Sequence, residues 1–280
     1  MSPFRSILAP LDFSDLSALA LGYANAMAQR CDARLTLLYA NTFSPPPYFT
    51  GHDVSTLEQQ FRASFAEAEA SLRRFAGETL GAAGAALEAH VVEGPPADTI
   101  LAFAARSGSD LIAMGTHGRS GINRWMLGSV AERVLRASRV PVLTVRPGKG
   151  TGGPKEIRHI LCPVNDSTSA RQALATATNL AACFGARVTV VHVKEDATKD
   201  SIADLCSWIA ENRRASCDVR EVVRQGDAAT EIISAAAEAE CDLTVIGARH
   251  RAFFDSAVLG TTTVRVVRHA RCPVLTIAEH

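Results

Sequence analysis

Two stretches of this chain are near copies of one another: residues 7–14 read ILAPLDFS and residues 160–167 read ILCPVNDS, 153 positions apart. The same spacing carries Arg34–Leu38 (RLTLL) onto Arg187–Val191 (RVTVV). Further along, Asp110–Gly115 (DLIAMG) falls on Asp242–Gly247 (DLTVIG) and Pro141–Val145 (PVLTV) on Pro273–Ile277 (PVLTI), now 132 positions apart. One supersecondary pattern is therefore written twice, and any fold must be one that both copies can adopt. The fall in spacing leaves the first copy with 21 extra residues after its second strand, within Asn41–Ser64, a segment that includes Pro45-Pro46-Pro47. At 280 residues the chain is about twice the usual domain of roughly 100–150 residues, in keeping with two units.

Within each copy, short β-branched and Leu-rich runs alternate with Ala-rich stretches of helical length. That alternation predicts βαβ units and an α/β fold, with a doubly wound parallel sheet covered by helices on both faces. Strands are expected at about 5–10, 34–40, 87–92, 110–115 and 141–146 in the first copy, and at about 158–163, 187–193, 217–223, 242–247 and 273–278 in the second. Helices are expected between them, at about 15–31, 54–82, 96–107 and 128–138, then 168–184, 199–214, 228–239 and 260–269. The Gly/Pro-rich stretch 148–155 has no periodicity and reads as a flexible linker between domains 1–147 and 156–280.

Several function classes fall away on composition. Lys and Arg total 29 and Asp and Glu total 29, so no overall basic field draws the protein to nucleic acid or to an acidic membrane surface. With 47% hydrophobic residues the chain can bury a full core. Its seven cysteines are odd in number, scattered and free of any C-x-x-C pair, so they read as reduced, mostly buried small hydrophobes. Asp12 and Asp15 interrupt the span that a signal peptide keeps apolar, and no run reaches membrane-crossing length; a cytoplasmic protein is expected.

In an open parallel sheet, ligands bind at the carboxyl ends of the strands. Three segments of the first copy arrive there: Pro10-Leu11-Asp12, Ala40, and Met114-Gly115-Thr116-His117-Gly118-Arg119-Ser120-Gly121. Gly115, Gly118 and Gly121 permit close approach of backbone to an anion and supply positive φ without a Cβ penalty. After nine further residues, Gly128-Ser129 opens an amphipathic helix whose unpaired N–H groups and Ser129 hydroxyl suit a phosphate. The alternative reading is purely structural, with Gly115 ending a strand, Gly121 in a turn and Ser129 as an N-cap.

The spacing G-x2-G-x9-G-S, the repeated ILxPxD/N opening and the PVLTV closing strand resemble the universal stress protein family in its tandem two-domain form, over essentially the whole chain. The resemblance implies two Rossmann-like five-stranded sheets of order 3-2-1-4-5, related to the adenine nucleotide alpha hydrolases and paired through their last strands as an intrachain pseudo-dimer. It also implies ATP in the first domain, with any Mg2+ carried by the nucleotide. Gly115, Gly118, Gly128 and Ser129 match the positions that hold ribose and phosphates; Pro10, Leu11 and Asp12 the adenine side; Ala40 a backbone contact to adenine; and Met114, His117 and Val130 further lining positions. Asp12 can accept from the adenine amino group or a ribose hydroxyl, or instead cap the helix that begins near Ser14. His117 is expected to act mainly through its backbone N–H, in preference to a catalytic imidazole. Arg119 and Arg124 either neutralise phosphate charge in part or are solvated loop cations.

The second copy departs from the pattern. Asn165 stands for Asp12, His250 for the second glycine, and only Gly247, Gly260 and Thr261 are kept. A Cβ at 250 would obstruct the backbone if that position needs positive φ, so weak or no ATP binding is expected there. Its loop, cationic through Arg249, His250 and Arg251, suits another anion or a partner, and one reading makes the copy as a whole a structural mate of the first. No P-loop, H-E-x-x-H or G-x-S-x-G motif occurs, and no general base is evident, so turnover of ATP is expected to be slow at most. Three functions follow: an ATP-binding stress-response or signalling module with a protein partner, a slow nucleotide-dependent enzyme, or a nucleotide-free interaction scaffold, any of them open to further homodimerisation. The extra residues around Pro45–Thr56 are either a lid or a solvent loop.

Overall fold

Strand runs with no polar break need cover on both faces, and each half provides it. In the first half β1 (Ser6–Pro10), β2 (Arg34–Asn41), β3 (Glu88–Glu93), β4 (Leu111–Gly115) and β5 (Val142–Val145) alternate with helices. These are α1 (Asp15–Cys31), α2 (Val54–Leu80), the single turn α3 (Ala82–Ala85), α4 (Pro96–Ser107) and α5 (Ser129–Ala137). The second half repeats the scheme with β6 (His159–Val164), α6 (Thr168–Phe184), β7 (Arg187–Lys194), β8 (Val219–Gln225), α7 (Ala228–Glu238) and β9 (Leu243–Ala248). It then departs from it with β10 (His250–Phe253) and β11 (Ser256–Leu259) before α8 (Thr261–His269) and β12 (Val274–Ala278). The computed structural model describes residues 2–42, 54–118, 127–146, 156–194, 218–248, 250–253 and 256–278. The expected linker, the helix expected at 199–214, the extra residues at 43–53, and Arg119, Gly121, Arg124 and Arg249 lie outside them.

The strand order is β3-β2-β1-β4-β5-β12-β9-β6-β7-β8. The last strands of the two halves, β5 and β12, pair as expected and join the two five-stranded arrays into one sheet of ten strands. Every described pairing in it is parallel except the junction, where β12 runs antiparallel to β5 with Leu275 opposite Leu143. Two repeat-equivalent threonines clasp this seam. Thr144 donates its hydroxyl to the Val274 carbonyl at 3.1 Å and Thr276 donates to the Val142 carbonyl at 3.1 Å, both buried.

Alternation along the strands divides the core in two. Ile7, Ala9, Leu37, Leu111 and Ala113 face one side, packed with α1, α2 and α6. Leu8, Leu38, Ile112 and Met114 face the other, under α4, α5, α7 and α8. Each core runs across both halves. The repeated aspartate that opens the fourth strand of each copy is structural: Asp110 accepts from the backbone N–H groups of Arg5 and Ser6 at 2.7 and 2.9 Å. Asp242 accepts from those of Arg158 and His159 at 3.0 and 3.1 Å.

Where a loop cationic through Arg249, His250 and Arg251 is expected, residues 250–253 and 256–259 instead pair as antiparallel strands, with His250 opposite Leu259 and Phe253 opposite Ser256. The second of these strands lies against α5 of the first half. The run AFFDSAVL has strand propensity on both sides of Asp255-Ser256, a local signal that the comparison with the first copy's glycine loop hid.

Candidate functional site

At the carboxyl ends of β1 and β4 the chain makes two tight passages that meet. After β1, Leu11 donates its backbone N–H to the Leu38 carbonyl at 2.8 Å, which fixes the exit of the strand. Asp12 then turns back on the chain: its Oδ1 accepts from the Ser14 N–H at 3.1 Å and from the Ser14 hydroxyl at 2.6 Å. Ser14 in turn caps α1 by accepting from the Ser17 N–H at 3.2 Å. Asp12 thus holds the cap in place and leaves its second oxygen, Oδ2, facing Gly118. Between them Phe13 sits at φ 64°, a left-handed conformation rare for a residue with a bulky side chain. Its ring is held by Tyr39 and Phe75, with centroids 4.8 and 5.6 Å away, so the turn is fixed by packing.

The second passage follows β4. Thr116, fully buried, donates its N–H to the Val145 carbonyl at 2.9 Å, and its own carbonyl accepts from the Gly128 N–H at 2.8 Å. This pair closes the loop between β4 and α5 at its base. A Cβ on Gly128 would stand 3.1 Å from the Thr116 carbonyl oxygen, and one on Gly118 would collide with Asp12 Oδ2. Gly115 is constrained on its other side, where a Cβ would lie 3.1 Å from Leu16 Cβ in the first turn of α1.

The expectation of positive φ at the loop glycines is corrected at Gly115 and Gly118, Gly121 lying outside the described residues. The described glycines with positive φ are Gly81, Gly94, Gly108, Gly185 and Gly226, none of them in the motif. Gly118 and Gly128 are needed for close approach, and Gly115 for helix-to-strand packing.

Gly128 is the N-cap of α5, at φ −65° and ψ 150°, and no side chain caps this end. By contrast Ser14, Ser167 and Asp227 cap α1, α6 and α7 with their side chains. The first N–H groups of α5 and the exposed Ser129 hydroxyl are accordingly presented at the glycine loop, with the positive end of the helix dipole behind them.

His117 is half-buried. Its Nδ1 lies 2.9 Å from the Thr116 hydroxyl, and its buried Nε2 has no hydrogen-bond partner among the described residues. Burial, and then the Arg146 guanidinium, hold its pKa below the usual histidine value, so the ring is neutral near pH 7. Beside the backbone N–H expected to do most of the work at His117, the structure places a neutral imidazole engaged with Thr116.

Arg146 itself was not legible as a site residue. It follows β5, half-buried, with its guanidinium donating to the Val267 carbonyl at 3.3 Å. Its signal was positional: it stands at the carboxyl end of the fifth strand, beside the three segments inspected.

The structure brings Asp12, Gly118, Thr116, His117, Gly128 and Ser129 to one place. Pro10 and Leu11 are buried behind Asp12, and Ala40, near the end of β2, is partly exposed beside them. Met114 has its side chain buried in the core beneath α5. Val130 is partly buried and packs against that same core.

In the second half the frame persists and the contents differ. Asn165 Oδ1 accepts from the Ser167 hydroxyl at 2.6 Å, reproducing the Asp12–Ser14 turn without the charge. A Cβ on Gly247 would come within 2.6 Å of the Ser169 backbone, so this glycine serves helix packing even more strictly than Gly115. Ala248 replaces Thr116 and Ala278 replaces Arg146. His250 lies in an extended strand and not at positive φ, so the obstruction expected there does not arise; the hairpin itself replaces the loop. Gly260 caps α8 as Gly128 caps α5, yet a Cβ on it would meet nothing within 4 Å.

The universal stress protein family model matches residues 3–146 and 156–278, so the chain belongs to that family and carries two of its domains in tandem. A universal stress protein of Methanocaldococcus jannaschii is 33% identical over 150 residues, covering 52% of this chain and 84% of that protein. The Bacillus subtilis universal stress protein YxiE is 30% identical over 151 residues, covering 51% of this chain and 99% of that protein. The crystal structure of a universal stress protein from Archaeoglobus fulgidus superimposes over 100% of both chains with a TM-score of 0.75 at 22% identity, a likeness of fold.

Proposed function

We propose that this chain is a cytoplasmic nucleotide-responsive module that binds ATP in its first domain, while its second domain acts as a structural mate. The observation that carries this reading is the convergence of the Asp12 carboxylate, the exposed backbone at Gly118 and the uncapped N-terminus of α5 at one end of the sheet. The fit is steric as well as chemical: side chains at 118 or 128 would fill the space where backbone meets Asp12 and the Thr116 carbonyl.

In this reading the N–H groups of the first turn of α5, from Ser129 onward, and the Ser129 hydroxyl hold phosphate oxygens, while Gly128, whose N–H is taken by the Thr116 carbonyl, allows the close approach. Asp12 Oδ2 accepts from the ribose or the adenine amino group, with Pro10, Leu11 and Ala40 on the adenine side and Gly115, Met114 and Val130 supporting the loop and helix from beneath. Neutral His117 lends polarity but no charge, while Arg146, and Arg119 of the loop, offset the phosphates. When bound, the nucleotide supplies a dense negative charge and any Mg2+ that accompanies it. Asp12 is engaged by Ser14, and the described loop offers donors in place of a base aimed at water, so efficient hydrolysis is not expected.

The test is a thermal-shift titration with ATP and magnesium, since a ligand that binds the folded state raises its stability by mass action. Wild-type protein is expected to shift, and Gly128→Val to lose the shift while keeping its circular dichroism spectrum. A wild-type protein with no shift would leave the scaffold reading in its place.

A further inference from the structure

Phe13, at φ 64°, is a bulky residue in a conformation that suits glycine, and it sits between Asp12, which faces Gly118, and Ser14, which caps α1. The other described non-glycine residues at positive φ are Asp32 and Glu240, polar residues just past the ends of α1 and α7, where a left-handed residue is routine. Phe13 precedes a helix, and its side chain gains nothing from the backbone there, so packing must hold it.

The packing comes from two other elements. The Phe13 ring lies 4.8 Å from that of Tyr39 on β2 and 5.6 Å, edge-on, from that of Phe75 on α2. All three pack against the core that holds Leu72 and Ala76 of α2, both fully buried.

The second half shows the same turn without the aromatic set. Asp166 stands for Phe13 and His192 for Tyr39. Asp166 is exposed and has no positive φ, and the His192 Nδ1 is directed at the Val164 carbonyl at 3.1 Å. The Ser167 N–H then donates to the backbone carbonyl of Asn165 at 2.9 Å, whereas the Ser14 N–H donates to the side chain of Asp12. The orientation of the carboxylate thus goes with the left-handed residue beside it.

We propose that Phe13 is a positioning residue of the nucleotide site: its ring, seated between Tyr39 and Phe75, holds residue 13 left-handed and so keeps Asp12 facing Gly118. The proposal rests on the reading of an ATP site in the first domain and extends that site's support to α2. Phe13 and Phe75 act through Asp12. By linkage, the seating of Phe75 on Phe13 and the binding of ATP favour each other.

The experiment is calorimetric titration of the full chain with ATP and magnesium, for wild type, Phe13→Ala, Phe13→Gly, Phe75→Ala and the Phe13→Gly/Phe75→Ala double variant, with the thermal midpoint of each. Both Phe13 variants lose the ring and are expected to melt below the wild type. They part in affinity, because glycine adopts the left-handed turn unaided and alanine does not. Phe13→Ala should weaken ATP by about tenfold, and Phe13→Gly should recover most of that loss, to within about threefold of wild type. Phe75→Ala should weaken ATP by about threefold alone and no further in the Phe13→Gly background, where no ring needs a seat.

Equal affinities of Phe13→Ala and Phe13→Gly would overturn the proposal while the ATP reading stands. A wild type that does not bind ATP would remove both. Should Phe13→Ala fold too poorly to titrate, the Phe75 variants decide: Phe75→Ala binding as the wild type does, or a double variant weaker than Phe13→Gly, would overturn the proposal.

Discussion

Gly128 and Gly260 occupy the same place in the two halves: each is the N-cap of the helix that precedes the closing strand, and neither helix has a side-chain cap. Their surroundings are opposite. A side chain at 128 would press on the Thr116 carbonyl at 3.1 Å, whereas one at 260 would meet nothing within 4 Å among the described residues. The difference comes from what precedes them. In the first half a buried threonine folds the loop base against the helix and Asp12 faces Gly118; in the second the same stretch pairs with itself as a hairpin. Two copies of one fold thus keep their packing glycines for the same reason and set their helix-capping glycines in different surroundings.

Gly247 should break that comparison most forcefully. Gly247→Ala places a Cβ 2.6 Å from the Ser169 backbone. It is expected to destabilise the protein by about 3 kcal/mol, at the upper end of overpacking costs. Gly115→Ala, facing Leu16 Cβ at 3.1 Å, should cost about 1 kcal/mol. Urea unfolding of both variants reads the order, and a Gly115 variant worse than the Gly247 variant would show that the two packing glycines are not equivalent in kind.

Binding comes next. Gly128→Val should weaken ATP affinity by at least about tenfold, roughly 1.4 kcal/mol, while Gly260→Val leaves affinity unchanged. The seam threonines are expected to behave alike because their bonds are reciprocal: Thr144→Val and Thr276→Val should each cost about 1 kcal/mol. A clear inequality in their denaturation midpoints would reveal a lopsided junction.

The smallest effect concerns pH. The fold holds His117 below its ordinary value of 6.5, so the unfolded chain binds the proton more readily. Its contribution to stability is complete above that value and is lost as pH falls below it, with His159, also held down mainly by burial, acting in the same sense. His117→Gln should flatten the fall in thermal midpoint between pH 6.5 and about 5. An unchanged pH profile would place the acid sensitivity in His159 or elsewhere.

Much of the architecture was legible because the repeat supplied an internal check on each element. Helix α4 begins at Pro96 and α6 ends at Phe184, the bounds that their periodicity and caps indicate. What escaped reading depended on long-range contacts. The role of Gly118 rests on a carboxylate more than a hundred positions earlier, and the Asp110 carboxylate ties β4 to the start of β1 across a similar gap. Arg146 carries no motif and is distinguished only by its place at a strand end. The hairpin at 250–259 was hidden by treating the second copy as a damaged version of the first.

The central claim is that two domains of one fold have divided their labour, and the stoichiometry of ATP binding tests it most directly. Isothermal titration calorimetry of the full chain should give one ATP per chain, abolished by Gly128→Val and retained by Gly260→Val. Two equivalents per chain, or binding lost in the Gly260 variant and kept in the Gly128 variant, would contradict it.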